Sequence, residues 1–135
     1  MAFKVYRGGT KTVYLPVTTS TAFTKNTLVE MTSGLVGVAD ADDTALAGVI
    51  KKTIASTDAD YATARKVAVI VPTERHVVWE CDATSGTFTT SDIGNEYGIS
   101  DAGTLDQTET TAKMFLVTEV VGGKVRGYMK INGSY

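Results

Sequence analysis

One cysteine and one histidine are the only soft or imidazole ligands in a sequence of 135 residues. A tetrahedral zinc site draws on three or four such side chains, so zinc held by His and Cys is excluded as a basis for function. Cys81 has no partner for an intramolecular disulfide. It stands in the run Val77-Val78-Trp79-Glu80-Cys81, where a buried and unreactive thiol is expected. Cationic excess is also missing: 13 Lys and Arg against 15 Asp and Glu leave a formal net charge of −2. Neutralising a phosphate backbone takes surplus cations, so nucleic acid is not expected as a partner. Nowhere do about 18 apolar residues run together, so no membrane association is expected, and the first nine residues lack the apolar centre of a secretory leader. Proline occurs twice. No eleven-residue window sustains the i, i+3, i+4, i+7 spacing of an amphipathic helix, which leaves strands as the main element.

What is present fits that reading. Hydrophobic residues make up 43% and charged residues 21%, the balance of a chain with a packed core. Short runs rich in Val and Ile are separated by Gly, Asp, Ser and Thr. The clearest hairpin joins Phe115–Val121 to Lys124–Ile131 across Gly122-Gly123, two glycines suited to a tight primed turn. In its second strand Val125, Met129 and Ile131 share one face, and Lys124, Arg126, Tyr128 and Lys130 the other, as in a sheet with one wet side. A second hairpin joins Leu28–Met31 to Leu35–Ala39 through Thr32-Ser33-Gly34, read as a bulged turn. Ala45–Ile50, the continuous run Val67–Val71 and the segment around Trp79 supply further strands, while Ala59–Lys66 reads as loop leading into strand. Thr90–Gly94 reads as a turn or single helical turn capped by Ser or Asp, and Ser100–Thr104 as another turn. The expected fold is all-β, a small barrel or sandwich of short antiparallel strands. Residues 1–16 are expected to form an extended N-terminal arm, about 50 Å long if fully extended at roughly 3.3 Å per residue, with Thr12–Val17 as the one plausible strand of this region, and residues 17–135 a single β-rich domain.

Candidate chemistry is thin. His76 lies in Glu74-Arg75-His76, and no serine carries a nucleophile-elbow pattern around it. Asp40-Ala41-Asp42-Asp43 and, more weakly, Asp58-Ala59-Asp60 gather carboxylates of the kind a hard cation takes, without the spacing of an EF-hand. Gly8-Gly9-Thr10-Lys11-Thr12 has the tail of a phosphate-binding loop but neither its earlier glycine nor its following helix. Lys51-Lys52, Arg65-Lys66 and the Lys124, Arg126, Lys130 face, with Tyr128 among them, make a modest basic stripe. No enzyme, metal or cofactor is expected.

The stretch Gly34-Leu35-Val36-Gly37-Val38-Ala39-Asp40-Ala41, followed by Ala45-Leu46-Ala47-Gly48-Val49-Ile50, resembles the small capsid cement or head-decoration proteins of tailed bacteriophages. In that family a small hairpin, an acidic Ala-rich turn and an Ala-Gly-Val strand come in succession. Thr89–Gly94 and Ser100–Thr104 resemble virion protein turns as well, and the likeness spans roughly residues 12 to 131. It implies a virion structural protein made in the host cytoplasm. Such a protein sits on the outside of an icosahedral head as a homotrimer and cements joints between copies of the major capsid protein. Phe3, Lys4, Val5, Tyr6 and Arg7, alternating apolar and basic, are then the expected capsid-binding residues of a docking arm, with an ordinary first edge strand as the competing reading. Phe23, Trp79, Phe88 and Tyr97, outside the strongest strands, are the expected oligomer interface. The alternative functions are a phage tail, fibre or carbohydrate-binding β-module, and beyond those an enzyme or a nucleic-acid-binding barrel.

Overall fold

The computed structural model describes every residue except 1, 18, 42, 44, 45, 60, 63, 64, 133 and 134. Asp42 and Asp60 of the acidic segments, Ala45 ahead of its strand, and Thr63 and Ala64 of the Ala59–Lys66 segment therefore lie outside the described residues. The described residues form twelve strands: β1 (Phe3–Arg7), β2 (Thr10–Pro16), β3 (Leu28–Thr32), β4 (Leu35–Val38), β5 (Leu46–Ile50), β6 (Lys66–Pro72), β7 (Val78–Cys81), β8 (Thr84–Ser85), β9 (Glu96–Asp101), β10 (Thr104–Asp106), β11 (Phe115–Val121) and β12 (Lys124–Met129). A single 3-10 turn at Thr90–Asp92 completes the regular structure among the described residues. Two sheets result. The larger has the order β1-β7-β12-β11-β9-β10-β8 and the smaller β2-β6-β5-β3-β4. Among the described residues these strands pair antiparallel except β8 with β10, and the isolated bridges Val17–Val36 and Leu46–Ile131 are parallel. The architecture is a sandwich-like all-β fold, as the short alternating strands foretold.

Both expected hairpins form. Gly122 and Gly123 at φ 52° and 82°, and Ser33 and Gly34 at φ 52° and 80°, supply the paired left-handed conformations of a primed two-residue turn. The second loop differs from the expected bulged turn, because Thr32 pairs directly with Leu35 and leaves only two residues between the strands. Thr90–Asp92 is entered through Thr89 rather than a Ser or Asp cap. The Thr89 hydroxyl accepts from the Ser91 amide at 3.3 Å, and Asp92 Oδ2 accepts from the Thr89 amide at 2.8 Å, a reciprocal box that satisfies two amide donors at the start of the turn.

The main core lies between the sheets. Phe3, Trp79, Cys81, Phe115, Val117, Val125 and Met129 of the larger sheet pack with Leu28, Leu46 and Val49 of the smaller. The smaller sheet is covered on its other face too, where Val29, Val36, Ala47, Ile50, Val67 and Val69 gather with Val17, Phe23 and Ile54 from the flanking segments. A sheet of five strands whose residues all meet in one cluster must curl. Val17, just beyond β2, reaches β4 in an isolated parallel bridge to Val36, so the two edges approach at one end without closing a barrel. β5 is buried along its whole length, and a bulge explains how it serves both cores. Val29 pairs with Gly48 but Glu30 with Leu46, so the extra residue resets the alternation: Leu46 and Val49 face one core, Ala47 and Ile50 the other. Gly48 is at φ 155°, and a Cβ there would stand 2.4 Å from the Ile70 carbonyl oxygen; only glycine fits. The run Val67–Val71, by contrast, is fully buried only at Val67 and Val69, so it alternates rather than hiding both faces.

The expected N-terminal arm is corrected by these pairings. β1 is an edge strand of the larger sheet, with Phe3 opposite Cys81, Lys4 opposite Glu80 and Val5 opposite Trp79. β2 pairs with β6 over its full seven residues, from Thr10 opposite Pro72 to Pro16 opposite Lys66. Gly8, at φ 113°, lets the chain turn from one sheet into the other. Residues 1–16 thus supply one strand to each sheet. The apolar and basic alternation that suggested a docking arm is the signature of a strand with one dry and one wet face.

Candidate interaction surfaces

The five residues expected to bind a capsid are divided between the interior and the outer face of the larger sheet. Phe3 is fully buried, and Val5 packs against the same core. Lys4 and Tyr6 point outward into a charged row that crosses four strands in register: Lys4 opposite Glu80, Glu80 opposite Arg126, Arg126 opposite Glu119. Signs alternate along it. Lys4 Nζ lies 3.3 Å and Lys124 Nζ 3.7 Å from Glu80 Oε1, Arg126 Nε 2.8 Å from Glu80 Oε2, and Arg126 Nη1 2.6 Å from Glu119 Oε1. The Arg126 guanidinium also lies 3.7 Å from the centroid of the Tyr6 ring, within reach of a cation–π contact. The Arg126 hydrogen bond, with Lys4 and Lys124 beside it, holds the Glu80 carboxyl below the usual carboxylate range against the opposing effect of burial. Hydrogen bonds to Glu119 and then Glu80 raise the Arg126 pKa further. These charges answer one another, so the row is a cross-strand tie. Arg7 is exposed, 5.8 Å from the Tyr6 ring.

The four aromatics expected at an oligomer interface are buried within the single chain: Phe23 2%, Trp79 1%, Phe88 9% and Tyr97 6% exposed. Trp79 belongs to the inter-sheet core and Phe23 to the second core. Phe88 meets Tyr97 edge-on at 5.2 Å. The Tyr97 hydroxyl donates to Asp92 Oδ1 at 2.5 Å, and Gln107 Nε2 donates to Asp92 Oδ2 at 3.1 Å. These bonds, Tyr97 first, keep the Asp92 carboxyl low. Cys81 is buried, its thiol pushed up to about 11 by desolvation, in keeping with an inert core residue.

The basic stripe is split. Lys124 and Arg126 of β12 are tied to Glu80, Tyr128 of the same strand packs tilted against His76 with ring centroids 4.9 Å apart, and Lys130 Nζ, just past that strand, lies 5.2 Å from the Tyr135 ring. Lys52, Arg65 and Lys66 instead line a hollow of about 210 Å³ on the smaller sheet with Tyr14. Lys51 Nζ donates to Thr12 Oγ1 at 3.2 Å nearby. Tyr14 is 66% exposed, and no residue of the stripe foretold it. On the curled face of the same sheet a wider groove of about 430 Å³ is lined by Val13, Leu15, Met31, Ala47 and Val71, with Lys11 among its lining residues.

Asp40 and Asp43 converge with Glu30 of β3, their carboxylate oxygens within 4.8 Å of one another. Among the described residues these three are the group with the donor type that a hard divalent cation takes. Asp43 Oδ2 accepts from the Asp40 amide at 2.8 Å. A hydrogen bond with Asp43, then desolvation, then the charges of Asp43 and Asp40 push the Glu30 carboxyl up to about 7 from its ordinary 4.5. The folded state therefore holds a proton that the unfolded chain has released between those values. The stability linked to Glu30 is complete below about pH 4.5 and is lost as pH rises through about 7. Glu30→Gln should stabilise the protein by about 1 kcal/mol at pH 8, after discounting for solvent screening, and have little effect at pH 4.5. Urea melts at the two pH values check this; equal shifts at both would refute the shared proton.

Compared with known proteins, the chain matches no family model, no curated protein and no solved structure.

Proposed function

We propose that the protein is a virion structural protein that binds the outside of an icosahedral phage head and cements joints between major capsid subunits, acting as a homotrimer. The observation that carries this reading is the rim of the smaller sheet. Met31, Leu35 and Val38, at 40%, 39% and 39% exposed, all lie on the β3–β4 hairpin, Met31 and Val38 on one face and Leu35 on the other by their register. The stretch that resembles the cement family runs through the same hairpin and on into β5. Exposed apolar groups gathered on one edge suit a surface that a neighbour covers. The sandwich beneath is held by two cores of its own, as a module added to a finished shell requires. Multivalent contact with a repeating lattice then converts weak single contacts into firm attachment.

Mixing the purified protein with empty heads and separating them by sedimentation tests the reading. Retention should saturate at a fixed ratio to the major capsid protein, and Leu35→Asp with Val38→Asp should weaken it at least tenfold without lowering the melting temperature. Failure to sediment with heads, combined with retention on a glycan matrix, would overturn the proposal in favour of a tail or carbohydrate-binding module.

A further inference from the structure

The smaller sheet ends at β2, which is paired on one side only. The Val17 amide donates to the Arg65 carbonyl and the Thr73 amide to the Gly9 carbonyl. In an antiparallel ladder this fixes the parity: odd residues of β2 turn their backbone groups toward β6, and those of Thr10, Thr12 and Tyr14 turn away. Among the described residues no backbone hydrogen bond reaches those three from the open side. The other edge of the curled sheet, β4, meets this one only at the Val17–Val36 bridge. Pro16, without an N–H, stands at the end of this open edge.

The two faces of β2 differ in chemistry. Its odd residues Val13 and Leu15 line the 430 Å³ groove together with Met31, Ala47 and Val71. Its even residues Thr12 and Tyr14 lie with Lys51, Lys52 and Lys66. None of Lys11, Lys51, Lys52 and Lys66 has a carboxylate partner among the described residues. A strand laid along this edge would present alternate side chains to an apolar groove and to a cluster of unneutralised cations.

We infer that the open edge of β2 receives an extended strand from a partner protein, in which apolar residues alternate with acidic ones. The strand pairs its backbone with Thr10, Thr12 and Tyr14, sets its apolar side chains into the groove and its carboxylates against Lys51, Lys52 and Lys66. A second copy of this chain is the poorer occupant, because edge-to-edge pairing of two β2 strands sets the same cations against each other. The inference holds whichever particle or protein carries the strand, and so stands apart from the capsid reading.

The capped heptapeptide Glu-Val-Glu-Val-Glu-Val-Glu, titrated into the labelled full chain at low ionic strength, tests it through amide chemical shifts. Shifts should centre on residues 10–15 and 71, and replacing each Glu of the peptide by Lys should weaken binding at least tenfold. Thr12→Pro removes an outward N–H while sparing the ladder to β6; it should abolish saturable binding with the melting temperature nearly unchanged. Should that variant not fold, Lys51→Glu with Lys66→Glu, both exposed, should still cost tenfold or more. Equal binding of the Glu and Lys peptides, or undiminished binding by these variants, would overturn the inference. So would a concentration-dependent dimer that Thr12→Pro abolishes, which would make the occupant a second copy. A thymidine oligonucleotide that displaces the peptide from the same residues and binds ten times more tightly would assign the cations to nucleic acid instead.

Discussion

Deleting residues 2–9 is expected to lower the unfolding free energy by about 4 kcal/mol or more, a large part of the roughly 5–15 kcal/mol that holds a typical domain folded. Phe3 alone carries most of that. It is fully buried, tilted against Phe115 with ring centroids 6.3 Å apart, and removal of a buried Phe side chain costs roughly 3–5 kcal/mol. The deletion also strips β7 of its outer neighbour, leaving four register pairs unmade, and removes Lys4 from the buried Glu80 carboxylate. A docking arm behaves oppositely, since its loss weakens attachment and leaves the melting temperature where it was. Urea denaturation of the truncated and full-length chains decides the matter: a change below 1 kcal/mol would mean that β1 adds little to the fold.

Truncating Trp79 to alanine should cost about 3–5 kcal/mol in the same assay, because it is the largest of the fully buried side chains and stands at the centre of the inter-sheet core. Trp79→Phe, which keeps an aromatic ring in the space, should cost about half as much. Light scattering well below the transition should give the parent mass for both. If Trp79→Ala changed the mass at unaltered stability, the residue would belong to an interface between chains.

The sequence announced the all-β class and its two hairpins because these depend on local signals, namely paired residues able to adopt positive φ and apolar runs with period two. It placed β12 with its faces correctly assigned, since Val125 and Met129 alternate with charged residues. It read the strand at Thr12–Val17 that β2 largely matches but misplaced β1, because an edge strand with a wet face and a hinged arm share one composition; the difference lies in β7, some 75 residues further along. The same blindness applies to Phe23, Trp79, Phe88 and Tyr97. Their burial comes from tertiary partners, such as Ile54 bridged to Phe23 or Asp92 bonded to Tyr97, that no local pattern names. β9 went unread because Gly98 breaks the apolar run between Tyr97 and Ile99. Tyr14 and the open edge of β2 were invisible for a related reason: an edge exists only once the sheet order is known.

The pairing of Phe3 with Cys81 also governs when the chain can fold during synthesis. The five strands of the smaller sheet are complete once residue 72 has emerged, yet their inner face stays bare until β7 and the strands after it arrive. β1, made before the other strands, has a single backbone bond from the Phe3 amide to the Asn26 carbonyl but no strand partner until β7 follows, and it then stands at the margin of a sheet whose remaining members come last. Closing such a long loop is entropically slow. The nascent chain therefore carries β1, with Phe3 and Val5, without its strand partner through much of translation, and Lys4 and Arg7 put charges on that strand that disfavour pairing with another chain in the interval.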